Sequence, residues 1–154
     1  MALKERIEHN FDLTSWKGEI PIHYLYTYGV AGEKFFKEIK DNARLMGTKC
    51  PECDIIYLPA RMYCERCFAK LEEWLEVSTK GYIYSYTVSY ACPDGSLHKE
   101  PHVIAFVKIE GIEGGIVNIL KDVNPKDVKI GMPVKIEFEK ERKGGIFDIK
   151  LIPA

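Results

Sequence analysis

At 154 residues the chain has room for one ordinary domain and a small appendage, and 46% hydrophobic content supports a packed core and argues against disorder. Its 22 Lys and Arg against 23 Asp and Glu leave a formal charge of −1, with both signs interspersed as in Glu137-Phe138-Glu139-Lys140-Glu141-Arg142-Lys143. That balance argues against a phosphate-tracking surface, which needs a clustered excess of cations, and no apolar stretch has the length that spans a bilayer or follows Met1-Ala2-Leu3-Lys4-Glu5-Arg6 as a leader would. A cytoplasmic protein is expected.

Residues 1–47 read as a helical arm. Leu3, Ile7 and Phe11 suggest a short amino-terminal helical turn that needs a surface to pack on. Phe35, Phe36, Ile39, Ala43 and Met46 recur at three-to-four-residue spacing with charged residues between them, which predicts one amphipathic helix starting near Gly32. Between these patterns, the stretch from Trp16 to Gly32 combines Pro and Gly with many aromatics. Rings on an extended arm carry large apolar area at little entropic cost, so Trp16, Tyr24, Tyr26, Tyr28, Phe35 and Phe36 are candidate partner contacts. The alternative is that the arm wraps its own barrel and the rings join the core.

Residues 48–75 hold the strongest chemical signal. Cys50-Pro51-Glu52-Cys53 and Cys64-Glu65-Arg66-Cys67 are separated by ten residues, a spacing at which two tight turns can converge four sulfurs on one ion. Cys50, Cys53, Cys64 and Cys67 are therefore candidate metal ligands. Four thiolates favour zinc and leave no position for water, so the site reads as structural; iron in the same cage, or two redox dithiols, are the competing readings. A module of fewer than about thirty residues has little core of its own, and metal binding, worth roughly 10–16 kcal/mol in isolated zinc peptides, would supply most of its stability.

Residues 76–154 switch to a period of two. Strands are expected over 81–90, 103–110, 115–120, 133–139 and 146–152. On the first, Tyr82, Tyr84, Tyr86, Val88 and Tyr90 fall on one face with Ser85, Thr87 and Ser89 on the other, so either the tyrosines or Ile83 point inward. Gly111 and Gly114-Gly115 suit a short hairpin, and the segment from Asn124-Pro125 to Gly131-Met132-Pro133 takes the place where a five-stranded barrel of the OB type puts its helix or a substitute. The fold class expected is mainly β with N-terminal helices, a rubredoxin-like four-cysteine ribbon and a five-stranded OB-fold barrel.

No catalytic signature emerges from the residues. Paired carboxylates in a defined motif, Ser-His or Cys-His arrangements and nucleotide-type phosphate loops are missing, Cys92 has no motif around it, and His9, His23, His98 and His102 lie apart from the cysteine pairs. Gly29-Val30-Ala31-Gly32 reads as a helix start before it reads as a phosphate site. Tyr82, Tyr84 and Tyr86, with Phe106 on the next strand, could stack on an adenine or cover a pantetheine arm, or fill the barrel instead. The same aromatic face supports an alternative function as a single-stranded nucleic-acid binder, against which the near-neutral charge weighs.

Lys49-Cys50-Pro51-Glu52-Cys53, Leu58-Pro59-Ala60-Arg61-Met62-Tyr63-Cys64, Gly81-Tyr82-Ile83-Tyr84-Ser85-Tyr86-Thr87 and Ile130-Gly131-Met132-Pro133-Val134, in this order, resemble the zinc-ribbon OB-fold family long catalogued as a domain of unknown function. The resemblance spans about Gly32 to Ile152. It implies a non-catalytic, acyl-CoA-associated adaptor that partners thiolase-type proteins, in archaea as a bridge between acetoacetyl-CoA thiolase and HMG-CoA synthase. It further implies structural zinc and an acyl-CoA-contacting surface shared with the partner, and no role at a membrane.

Overall fold

The computed structural model describes residues 18, 23–92 and 95–154. The expected turn at Leu3, Ile7 and Phe11, and Trp16, lie outside the described residues.

The helical periodicity produces α1, Gly29–Asn42, which buries Ala31, Phe35 and Ile39 on one side. It starts three residues before Gly32. It also ends before the expected stripe does: Ala43 takes a left-handed conformation with φ 51°, and its N–H bonds back to Ile39 O at 3.2 Å. That reversal removes Met46 from the helix, and Met46 instead opens β1, Met46–Lys49.

Two β-systems follow. Strand β1 lies between β2, Ile56–Leu58, and β3, Glu73–Glu76, both antiparallel to it. Strand β6, Ile112–Gly114, adds to the outer edge of β2 in parallel and gives the sheet order β3-β1-β2-β6. The other five strands are β4, Lys80–Ala91; β5, Leu97–Lys108; β7, Ile116–Leu120; β8, Pro133–Phe138; and β9, Ile149–Pro153. They close into a barrel in the order β4-β5-β7-β9-β8, with β8 pairing back to β4. Numbered within the barrel, this is first-second-third-fifth-fourth, with a single parallel closure between third and fifth at Leu120 and Leu151. This is a five-stranded OB-type barrel.

Strand alternation resolves inward for Ile83, which is fully buried, together with Val107, Ala105 and Val103 on β5. Where an OB barrel often carries a helix, residues 121–132 form a looped cover that drives Val128 into the core. Gly131 N–H and Met132 O in that loop bond Ile83 O and Ile83 N–H at 2.8 and 2.9 Å. Phe35, Ile39, Leu45, Leu58 and Ala60 belong to the same buried cluster as the barrel interior, so helix, sheet and barrel share one core.

The glycine pair lies, as expected, in the connection that joins β5 to β7 as an antiparallel hairpin, and it has a second role. Gly114 ends β6, and a Cβ there would lie 2.1 Å from Leu58 O; Gly115 N–H donates to that same oxygen at 2.8 Å. The pair is the close crossing where the cysteine-bearing sheet meets the barrel, and only a residue without Cβ permits that approach.

Candidate functional site

The two cysteine pairs fold as equivalent knuckles. Cys50 N–H donates to Ile55 O at 2.8 Å, and Cys50 O accepts from Asp54 N–H at 3.0 Å. In the second, Cys64 N–H donates to Ala69 O at 2.9 Å, and Cys64 O accepts from Phe68 N–H at 3.0 Å. The residue after each pair, Asp54 and Phe68, adopts positive φ, 58° and 61°, which is what turns the chain back so that both sulfurs face one point.

The four Sγ atoms lie within 4.8 Å of one another. Cys50 and Cys67 are 3.5 Å apart, and Cys53 and Cys64 are 4.0 Å apart. Four sulfurs about 2.3 Å from a tetrahedral zinc stand about 3.8 Å from each other, so the cage has the size of a zinc-thiolate site. Backbone N–H groups of Cys53 and Arg66 each approach a sulfur, Cys50 and Cys64 respectively, at 3.4 Å.

Beneath the cage, Cys50, Tyr57, Cys64 and Leu71 form a small core of their own. The Tyr57 hydroxyl donates to Cys64 Sγ at 3.2 Å and draws that thiol down to about 6, while the same bond pushes the phenol up to about 12. Cys53 goes the other way, to about 12, first because of its hydrogen bond with Cys67. Four crowded thiols cannot all shed their protons unaided; a divalent cation removes that conflict by holding each as a thiolate, and the donor set fits zinc. Arg61 lies over the Tyr57 ring at 4.8 Å and pairs with Glu65, and buried Thr48 both donates to Arg61 O and accepts from Arg61 N–H. The role of Tyr57 was hidden in the sequence, where it reads as one apolar position among Ile55, Ile56 and Leu58.

The candidate partner contacts separate into two groups. Tyr24, Leu25, Tyr26 and Tyr28 are 67%, 103%, 82% and 67% exposed, on a segment with neither helix nor strand that leads into α1. The arm therefore does not bury these rings in its own barrel. Phe35, by contrast, is in the core, because helical spacing places it with Ile39 on the inward side; it supports the arm without forming its surface. Phe36 is half-buried and joins the two groups, meeting Phe35 edge-on at 5.4 Å and Tyr28 with tilted rings at 5.1 Å.

On the barrel, Tyr82, Tyr84 and Tyr86 all retain solvent exposure, but they do not share one face as strict alternation requires. A bulge between Ile83 and Ser85 leaves Tyr84 without a direct cross-strand partner and shifts the register by one, so Tyr86 sits opposite buried Ala105 while Ser85 sits opposite Phe106. Tyr84 packs edge-on against Phe106 at 5.8 Å, with Lys108 Nζ 4.7 Å from its ring. A shallow concavity of about 300 Å³ is lined by Ser85, Tyr86, Thr87, Ile104, Phe106 and Val117. Among the described residues no helix is long and apolar enough to cross a membrane.

Comparison with known proteins gives a consistent result. Residues 38–72 match the ChsH2 rubredoxin-like zinc ribbon domain and residues 74–139 the ChsH2 C-terminal OB-fold domain. A DUF35 domain-containing scaffold protein of Methanocaldococcus jannaschii is 35% identical over 112 residues, 71% of this chain and 78% of that protein. A protein of the same description from Methanothermobacter thermautotrophicus is 34% identical over 113 residues, 71% of this chain and 83% of that one. Among solved structures, a DUF35-family protein of unknown function from Sulfolobus solfataricus superposes with a TM-score of 0.66 at 33% identity, covering 82% of this chain and 87% of that one. A chain of the structure described as the Ltp2-ChsH2(DUF35) aldolase shares the fold, with a TM-score of 0.59 at 23% identity over 79% of this chain and 93% of that one.

Proposed function

This chain belongs to the DUF35 family, and on that premise we propose that it is a non-catalytic scaffold subunit that docks an acyl-CoA enzyme of the thiolase or HMG-CoA synthase type. The curated relatives carry the description of scaffold proteins, and a structural neighbour is part of an aldolase assembly. The observation that carries the reading is the exposed run Tyr24, Leu25, Tyr26 and Tyr28 joined directly to a helix whose other side is locked in the core. Large apolar rings held in water at the root of a rigid element are what a binding partner covers, and little rotamer entropy is lost when they are covered.

In this reading Cys50, Cys53, Cys64 and Cys67 hold one structural zinc ion, which fixes the angle between the knuckles and supplies no open position for substrate. The ribbon then acts as a bracket: β6 ties it to the barrel at Gly114, and α1 ties it to the arm. Of the candidate set, Tyr84 and Phe106, which meet edge-on, form the surface offered to acyl-CoA. Their rings suit adenine or the pantetheine chain, and Lys108 beside Tyr84 suits a phosphate. Bridging two enzymes would let a thioester pass between active sites without release, which is the physical gain of such a subunit.

The test is co-purification of the full chain with the thiolase and the HMG-CoA synthase encoded in the same genome. A stable complex is expected with at least one of them, and replacing Tyr24 and Tyr26 together by alanine should abolish it while leaving the melting temperature unchanged, since neither ring packs on the core. A chain that elutes alone beside both enzymes overturns the proposal.

A further inference from the structure

At the turn between β4 and β5, outside the cysteine cage, the fold gathers side chains that carry no sequence motif. Cys92 Sγ lies 3.3 Å from His98 Nδ1 and 4.0 Å from Nε2. The turn sets that approach, with Cys92 N–H bonded to Ser96 O at 2.7 Å and Gly95 N–H bonded to Cys92 O at 2.9 Å. Ser89 Oγ stands 3.5 Å from His98 Nε2 and donates its one proton to Ala91 O at 3.1 Å. Toward the imidazole Ser89 can therefore only accept, which puts the ring proton on Nε2 and leaves the Nδ1 lone pair facing the thiol. The ring of His102 packs edge-on against His98 at 4.4 Å and restrains it further.

A nucleophile, a base within hydrogen-bond reach and a third group orienting the base are the parts of an activated thiol. Both Cys92 and His98 are half-buried, so a small molecule can reach them. The other four cysteines are gathered in the metal cage, which leaves Cys92 without a partner cysteine in its own chain. We propose that Cys92 and His98 form a thiol–imidazole pair that exchanges with small-molecule disulfides, making the β4–β5 turn a site of reversible S-thiolation. His98 Nδ1 takes the Cys92 proton, and the thiolate attacks one sulfur of the disulfide. The new S–S bond to Cys92 forms as the original one breaks, and the departing thiolate recovers the proton from His98. Cys92 is oxidised to the mixed disulfide and half of the reagent is reduced to a thiol, with no other oxidant needed.

The full zinc-supplemented chain, incubated at neutral pH with 2-hydroxyethyl disulfide, tests this by intact mass and peptide mapping. One half-disulfide per chain is expected, on Cys92, forming faster than on free cysteine and released by a dithiol reductant. Cys92→Ser should abolish it, and His98→Gln should slow it by about tenfold, because a thiol without a base beside it is only a few per cent thiolate near neutral pH. Melting temperature and zinc content should be unchanged in both variants, since neither residue belongs to the core. An unchanged rate in His98→Gln, labelling confined to the four cage cysteines, or a Cys92 rate no greater than that of free cysteine overturns the proposal.

Discussion

Replacing Gly114 by alanine probes the joint on which the bracket depends. The added Cβ would stand 2.1 Å from Leu58 O, whereas such carbon–oxygen contacts rest at about 3.3–3.6 Å, so the two strands must separate by more than an ångström. Separation sacrifices the bond from Gly115 N–H to Leu58 O, worth about 1 kcal/mol. The backbone at φ +92° adds about 1–2 kcal/mol for a residue with a side chain, and the overpacking adds about 1–3 kcal/mol. Together these give a loss of about 3–6 kcal/mol, which for a chain of this size lowers the melting temperature by about 6–24 °C. Gly111 is the control: its φ is +75°, but no atom lies within 4 Å of the point a Cβ would occupy, so Gly111→Ala should cost only the conformational part, about 1–2 kcal/mol. Thermal unfolding of the two variants followed by circular dichroism decides the matter. Equal shifts would refute the reasoning, because the close crossing with Leu58 would then contribute nothing.

Tyr57→Phe removes the hydroxyl that donates to Cys64 Sγ and should weaken zinc affinity about 10–100-fold in a chelator competition, while the fold persists. Phe35→Ala empties a site that is 2% exposed at the junction of helix and barrel and should cost about 3–5 kcal/mol in denaturant unfolding. Asp148 is a pH probe: burial pushes its carboxyl up, but N–H donors from Lys143, Gly145 and Gly144 outweigh that and hold it below the ordinary value. Folding therefore favours the ionised form, so its contribution is complete above the unfolded value near about pH 4 and is lost as pH falls through the lower folded value. Asp148→Asn should melt earlier at neutral pH and lose less stability on acidification than the parent chain, as measured by melting temperature against pH.

Much of this molecule can be read from its sequence because local rules and tertiary packing agree there. The Cys-x-x-Cys pairs need only two turns to converge, and the barrel strands at Val134, Ile136 and Leu151 alternate cleanly because one side faces the core. What escaped has equally physical causes. Strand β5 begins at Leu97, six residues before the expected 103, because its outer part faces solvent and carries no hydrophobic period. Strands β1, β3 and β6 are three or four residues long, too short for alternation to register. Gly114-Gly115 reads as turn chemistry, and only the fold reveals that the glycines answer to Leu58 across the sheet. The bulge at Tyr84 is likewise silent in a sequence of alternating tyrosines, and the pairing of Cys92 with His98 depends on a turn that no spacing rule announces.

Elemental analysis of the purified full chain tests the scaffold reading most directly, since the ribbon holds arm and barrel in register only if its four sulfurs grip an ion. One zinc per chain, no visible colour, and cage thiols that stay unreactive until the metal is chelated are the expected results. A folded chain with no bound metal and four freely titrating cage thiols would contradict it.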